Sequence, residues 1–160
     1  MTANSRSRPL SPAEIALAAS IFGGAIDYRQ VRIHSRKWWP LQPRDWIMAP
    51  AGALWVHPQG PLAGVDFAAV GPPLQGLFVH EMTHVWQHQQ GICLLLRRHP
   101  FCRYAYRLEP GKRFEDYGIE QQAEIVRDAF LARRGKQRVA GLPFADYAAL
   151  LPFTPPREAV

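Results

Sequence analysis

The chain has little sulfur chemistry. Two cysteines stand among 160 residues, Cys93 and Cys102, without Cys-x-x-Cys spacing, which excludes a disulfide framework and a thiolate metal cluster. Cys93 lies in the apolar run Ile92-Cys93-Leu94-Leu95-Leu96 and reads as a buried thiol. That run is also far too short to span a bilayer. The start, Met1 to Pro9, is polar and basic with no apolar core behind it. It therefore does not read as a signal peptide, and the expectation is a cytoplasmic protein, with export by a signal-independent route compatible with that start. Repeats and low-complexity blocks are absent. Acidic residues are outnumbered, 13 to 19, for a net charge of +6. That balance raises a nucleic-acid partner, but the basic residues are scattered and no nucleic-acid-binding motif appears, so solvated basic faces are the better account.

What remains is a soluble composition, 48% hydrophobic and 20% charged, of a length that supports one domain with a real core. One stretch organises it: Leu77-Phe78-Val79-His80-Glu81-Met82-Thr83-His84-Val85-Trp86-Gln87-His88. His-Glu-x-x-His on a helix puts His80 and His84 four residues apart on one face, where both imidazoles can reach one metal ion. Glu81 flanks that face and can handle the proton of a metal-assisted hydrolysis. The surrounding residues are apolar almost all round, which predicts a central, buried helix. Buried histidines and a buried glutamate need partners, and a metal supplies them.

Zinc needs at least a third protein ligand. The metzincin continuation fails, because Gln87 and Gln90 stand where that pattern has Gly and His. His88 lies two turns from His80, about 12 Å along the axis, too far to share the ion. The remaining source is Ile119-Glu120-Gln121-Gln122-Ala123-Glu124-Ile125-Val126. Glu120 and Glu124 share a stripe beside its apolar face, so one can bind the metal while the other orients a liganding imidazole.

His-Glu-x-x-His followed by Glu-x-x-Ala-acidic resembles the small gluzincin-type metallopeptidases. More closely, Leu-Phe-Val-His-Glu-Met-Thr-His-Val-Trp-Gln-His-Gln is similar to the bacterial domain of unknown function 4157 (DUF4157) and related proteins labelled Vgr-related. Val31-Arg32-Ile33-His34 looks like that group's early strand. The resemblance covers roughly residues 10–135. It implies His80, His84 and Glu120 as zinc ligands, Glu81 as general base and Glu124, where the family usually has Asp, as orienting partner. It also implies a peptide or protein substrate, and the label hints at association with secretion machinery.

In chain order, residues 1–9 read as a disordered basic arm. Ser11-Pro12-Ala13-Glu14 predicts a helix with a capping box, with Ile15, Ala18, Ala19 and Phe22 buried and Gly23-Gly24 as its stop. Gln30–His34 alternates as a strand whose His34 faces outward. Trp38-Trp39-Pro40 reads as an aromatic knot in the core. Asp45–Ala49 and Ala53–His57 flank Pro50-Ala51-Gly52 as a hairpin. Its second run, Leu54, Trp55 and Val56, is the candidate edge strand for a substrate backbone. Residues 58–73 form a long loop, and the metal helix runs from about Leu74 to Gly91. Tyr104, Tyr106 and Tyr117 are candidate oxyanion donors, Tyr117 and Tyr106 foremost. Asp116 is the expected cap of a ligand helix that ends near Arg134, before Gly135. Leu142, Phe144, Tyr147, Leu150 and Leu151 form a short amphipathic piece ahead of a Pro-containing tail, residues 153–160. The expected fold is α+β, a zincin-like single domain over residues 10–152. A small, mostly antiparallel sheet packs on the metal helix, and the Glu120 helix crosses it.

Overall fold

The computed structural model describes residues 7–97, 102–139 and 141–157. Residues 1–6 of the arm expected over 1–9, and the end of the tail, lie outside the described residues. Strand β1 (Ser7–Pro9) leads into α1 (Pro12–Phe22), then β2 (Arg32–Ser35), β3 (Ile47–Met48) and β4 (Leu54–Val56). Helix α2 (Pro72–Gln89), a single turn α3 (Leu94–Arg97), α4 (Ile119–Arg133) and α5 (Phe144–Ala148) follow.

Helix α1 begins as its sequence predicts. Ser11 accepts from the Glu14 amide, Glu14 returns the bond to the Ser11 amide, and Pro12 takes the first position. Glu14 does more than cap. Fully buried, it takes two hydrogen bonds from Arg8 of β1, at 2.7 and 2.8 Å, and one from the Phe67 amide. Residues 7–9 are thus no arm: they are tied to the core by this ion pair and by antiparallel pairing with β2. The buried stripe of α1 is Leu17, Ala18, Ile21 and Phe22, turned slightly from the expected one, so Ile15 and Ala19 are only partly covered.

The sheet is mixed, in the order β1-β2-β4-β3. The hairpin forms, with Ile47 opposite Val56, and β4 also pairs in parallel with β2. This corrects the strand assigned to the substrate. Leu54, Trp55 and Val56 lie in an interior strand with both sides bonded, and the edges of the sheet are β1 and β3. The physical reason is non-local: a parallel neighbour some twenty residues upstream leaves no signature in the hairpin's own residues.

Two further expectations change. Trp38 and Trp39 are 37% and 39% exposed, on the bend that leads into Pro40, and the ring of Trp38 meets that of Trp55 edge-to-face. Cys93 is exposed: after Gly91, in a left-handed conformation, the chain aims Leu94 inward and Cys93 and Leu95 out.

Helix α2 starts at Pro72, two residues earlier than expected, since prolines suit the first turn where the amides have no partner anyway. It is covered by α4, which runs antiparallel to it. Gly76 permits this near one end: a β-carbon there would meet Leu131 and Arg127 at 3.2–3.3 Å. At the other end, buried Gln87 donates to the Ile119 carbonyl and to Gln122 Oε1. Among the described residues, no helix is long and apolar enough to cross a membrane.

Candidate metal centre

Between those two fixings, His80 and His84 on α2 face Glu120 on α4. All three are at most 4% exposed. Glu120 Oε2 lies 3.3 Å from His80 Nε2 and 3.2 Å from His84 Nε2. Their ligand atoms fall within 4.8 Å of one another, the one such group among the described residues.

The other nitrogen of each imidazole is held as well. His80 Nδ1 sits 2.8 Å from Glu124 Oε1. His84 Nδ1 sits 2.8 Å from Gln87 Oε1, and because the Gln87 amide nitrogen donates to two acceptors, that oxygen is the acceptor. Both Nδ1 atoms therefore carry a proton, so a neutral ring at either position turns its Nε2 lone pair toward the shared centre, whereas a charged His80 donates to Glu120 there. A nitrogen lone pair facing a carboxylate oxygen at 3.2 Å is repulsive unless positive charge lies there, as a proton or a metal cation. Two imidazoles and one carboxylate are the donor set of an open catalytic zinc site, so these residues fit zinc. Burial opposes a charged His80, yet the Glu120 and Glu124 carboxylates outweigh it and hold its pKa up at about 9. Burial likewise disfavours the Glu124 carboxylate, and His80 and Arg138 overcome that and bring it down to about 2.

Glu81 is 4% exposed and lines a cleft of about 380 Å³ with His80, Glu124, Tyr104 and the β3 edge, Ile47 and Met48. Trp46 stands at its rim, 53% exposed. A second, largely apolar cavity of about 480 Å³ adjoins it and shares Tyr104 and Glu124.

The tyrosines divide differently from expectation. Tyr117 is buried, its hydroxyl donating to the Arg107 carbonyl and accepting from the Glu109 amide, which makes it a brace for that loop. The Tyr106 hydroxyl donates to Asp128 at 2.5 Å. Neither faces the cleft. Tyr104 does, its ring stacked 6.2 Å from that of His80. His34 stacks on Trp55 and stands outside the centre, and exposed His88 packs beneath Gly52, whose positive φ and missing side chain let the hairpin turn approach. Asp116 does not cap α4. It closes a 3-10 turn with Arg113, and Gly118 takes the cap position.

Sequence reasoning missed Gln87 and Arg138. In the sequence Gln87 stands out only as a departure from the metzincin pattern. Its one local signal is a spacing of three from His84 on the same helix.

No family model matches the chain, so the resemblance to DUF4157 gains no support from that quarter. The Vgr-related resemblance does gain it. The type VI secretion system spike protein VgrG2b of Pseudomonas aeruginosa is 47% identical over 135 residues, 79% of this chain. The match spans 13% of that protein's length. A solved structure of the effector domain of Pseudomonas aeruginosa VgrG2b is 42% identical with a TM-score of 0.69, covering 89% of this chain and 80% of that one. By that identity and coverage, the chain belongs to the family of the VgrG2b effector domain.

Proposed function

We propose that the chain is a secretion-system effector domain that binds zinc through His80, His84 and Glu120 and hydrolyses peptide bonds. The observation that carries the metal reading is the convergence of two imidazole Nε2 atoms on one buried carboxylate, each ring fixed from behind. Zinc held there supplies a Lewis acid and brings the pKa of a water down to about 7. Glu81, beside His80 in the cleft, takes a proton at its carboxylate and passes it to the leaving amine. Glu124 and Gln87 hold the imidazoles in the required tautomer. The β3 edge, with no second neighbour among the described residues, accepts an extended substrate backbone by strand addition. Tyr104 takes the place given to Tyr106 and Tyr117 as candidate oxyanion donor, because it lines the cleft and they do not. Kinship with part of a spike protein supports export together with such a spike, and a protein partner there.

A second reading is a zinc-held binding or assembly module without turnover. The kinship with an effector domain speaks for it as much as for an enzyme, since an effector can act by binding. Glu81→Gln separates the two. With wild type and Glu120→Ala beside it, metal content and cleavage of an unfolded protein substrate are measured. The hydrolase reading expects one zinc in wild type and in Glu81→Gln, cleavage in wild type alone, and loss of metal from Glu120→Ala. Equal metal in Glu120→Ala overturns the ligand assignment. Zinc without cleavage in wild type leaves the binding module.

A further inference from the structure

Glu124 sits between two guanidinium groups. Its Oε1, 2.8 Å from His80 Nδ1, is also 3.4 Å from Arg127 Nη1, so His80 and Arg127 share one acceptor oxygen. Its Oε2 is held by Arg138 Nη2. Arg138 Nε reaches Asp128 Oδ1 at 2.6 Å, and Asp128 is buried and fixed in turn by the Tyr106 hydroxyl. Arg138 follows the turn at Gly135 and folds back onto α4, where Glu124 and Asp128 are neighbours four residues apart. One guanidinium fork thus spans two carboxylates, a geometry that a point charge cannot reproduce.

A glutamate that orients an imidazole has one more rotatable bond than an aspartate would have. With its Oε2 released, the carboxylate of Glu124 can turn toward Arg127 and leave His80 Nδ1. We infer that Arg138 is a positioning residue for the metal centre: by pinning Glu124 Oε2 it keeps Oε1 on His80, and so keeps His80 Nε2 aimed at Glu120 and His84. This rests on the zinc reading above, and it places a determinant of metal affinity on an exposed side chain beyond the ligand helices.

The test is zinc affinity, by competition with a chromophoric chelator, in wild type, Arg138→Gln, Arg138→Lys, Glu124→Gln and the double variant Arg138→Gln/Glu124→Gln. Loss of an outer partner typically weakens metal binding by 10–100-fold. Arg138→Gln is expected to lose about tenfold, at the low end of that range, with Arg138→Lys between it and wild type. The double variant is expected to bind no more weakly than Glu124→Gln alone, because Arg138 acts through Glu124. In the metal-free protein, the downfield proton resonance of His80 Nδ1–H should shift or broaden in Arg138→Gln, a readout that a purely structural role does not move. Wild-type affinity in Arg138→Gln, or a loss in the double variant equal to the product of the single losses, overturns the inference. If wild type fails to bind zinc, the metal reading falls, and the Nδ1–H resonance still decides whether Arg138 holds Glu124 on His80. Thermal melts of each variant show that it is folded.

Discussion

Gln87 offers the sharpest test of the architecture, because its consequences can be worked out without a metal. Gln87→Met keeps the side chain's length and removes an acceptor from His84 Nδ1 and donors from the Ile119 carbonyl and Gln122 Oε1. The site is fully buried, so water cannot replace them. Each abandoned buried group costs about 1–3 kcal/mol. Gln122 keeps its own bond to the Tyr117 carbonyl and can turn its oxygen, which leaves two groups to count. Burying the thioether offsets about 1 kcal/mol. The net loss is about 1–5 kcal/mol, a large share of the 5–15 kcal/mol that ordinarily holds a domain folded. For a chain of this size that corresponds to a fall in Tm of roughly 2–20 °C. Urea unfolding in the presence of chelator reads it directly, as a lower midpoint at an unchanged slope. Zinc affinity should fall as well, by about 10–100-fold, since His84 loses its orienting partner. A metal-free Gln87→Met protein within about 0.5 kcal/mol of wild type would refute the claim that this amide ties α2 to α4.

Chelation of the zinc-loaded protein should lower Tm, because a ligand present at a thousandfold over its Kd contributes about 4 kcal/mol, and an unchanged melt would mean that no metal binds the native state. Arg8→Gln should cost about 1–3 kcal/mol, less than the loss of a wholly buried pair because Arg8 is one-third exposed, with the urea midpoint as the measure. Burial acts to raise the Glu14 carboxyl, but Arg8 and the Ser11 and Phe67 amides outweigh it and hold it below its ordinary 4.5. Its contribution is therefore complete above about pH 4.5 and lost as the pH falls through the lower folded value, and Arg8→Gln should flatten that acid limb of the stability profile. Trp46→Ala, at the rim of the cleft, should raise KM roughly fivefold with kcat unchanged, the value of about 1 kcal/mol of substrate contact; an equal drop in kcat would place Trp46 in the chemistry instead.

The parts of this molecule that were readable from sequence are those decided within one helix. Four-residue spacing puts His80 and His84 on a common face, the Ser11–Glu14 box starts α1, and glycines end α1 and follow α4. Glu120 and Glu124 were readable as a pair because a metal needs a third ligand and an imidazole needs an orienting acceptor. What could not be read depends on partners far along the chain. Gln87 bonds to residues more than thirty positions away, and β4 is interior only because β2 lies beside it. Tyr106 and Tyr117 carry the same hydroxyl as Tyr104, and only the path of the loop decides which one meets the cleft. The apolar run at Cys93 misled because a single turn after Gly91 exposes alternate residues that a strand or longer helix would have covered.

Helices α2 and α4 meet at Gly76 on one side of the metal centre and at Gln87 on the other, with the ligands between. The ligand spacing is therefore imposed by the scaffold at both ends, and capture of an ion requires no ordering of the chain. On the metal reading proposed above, such a domain would be folded before it holds an ion, with helix content the same before and after loading.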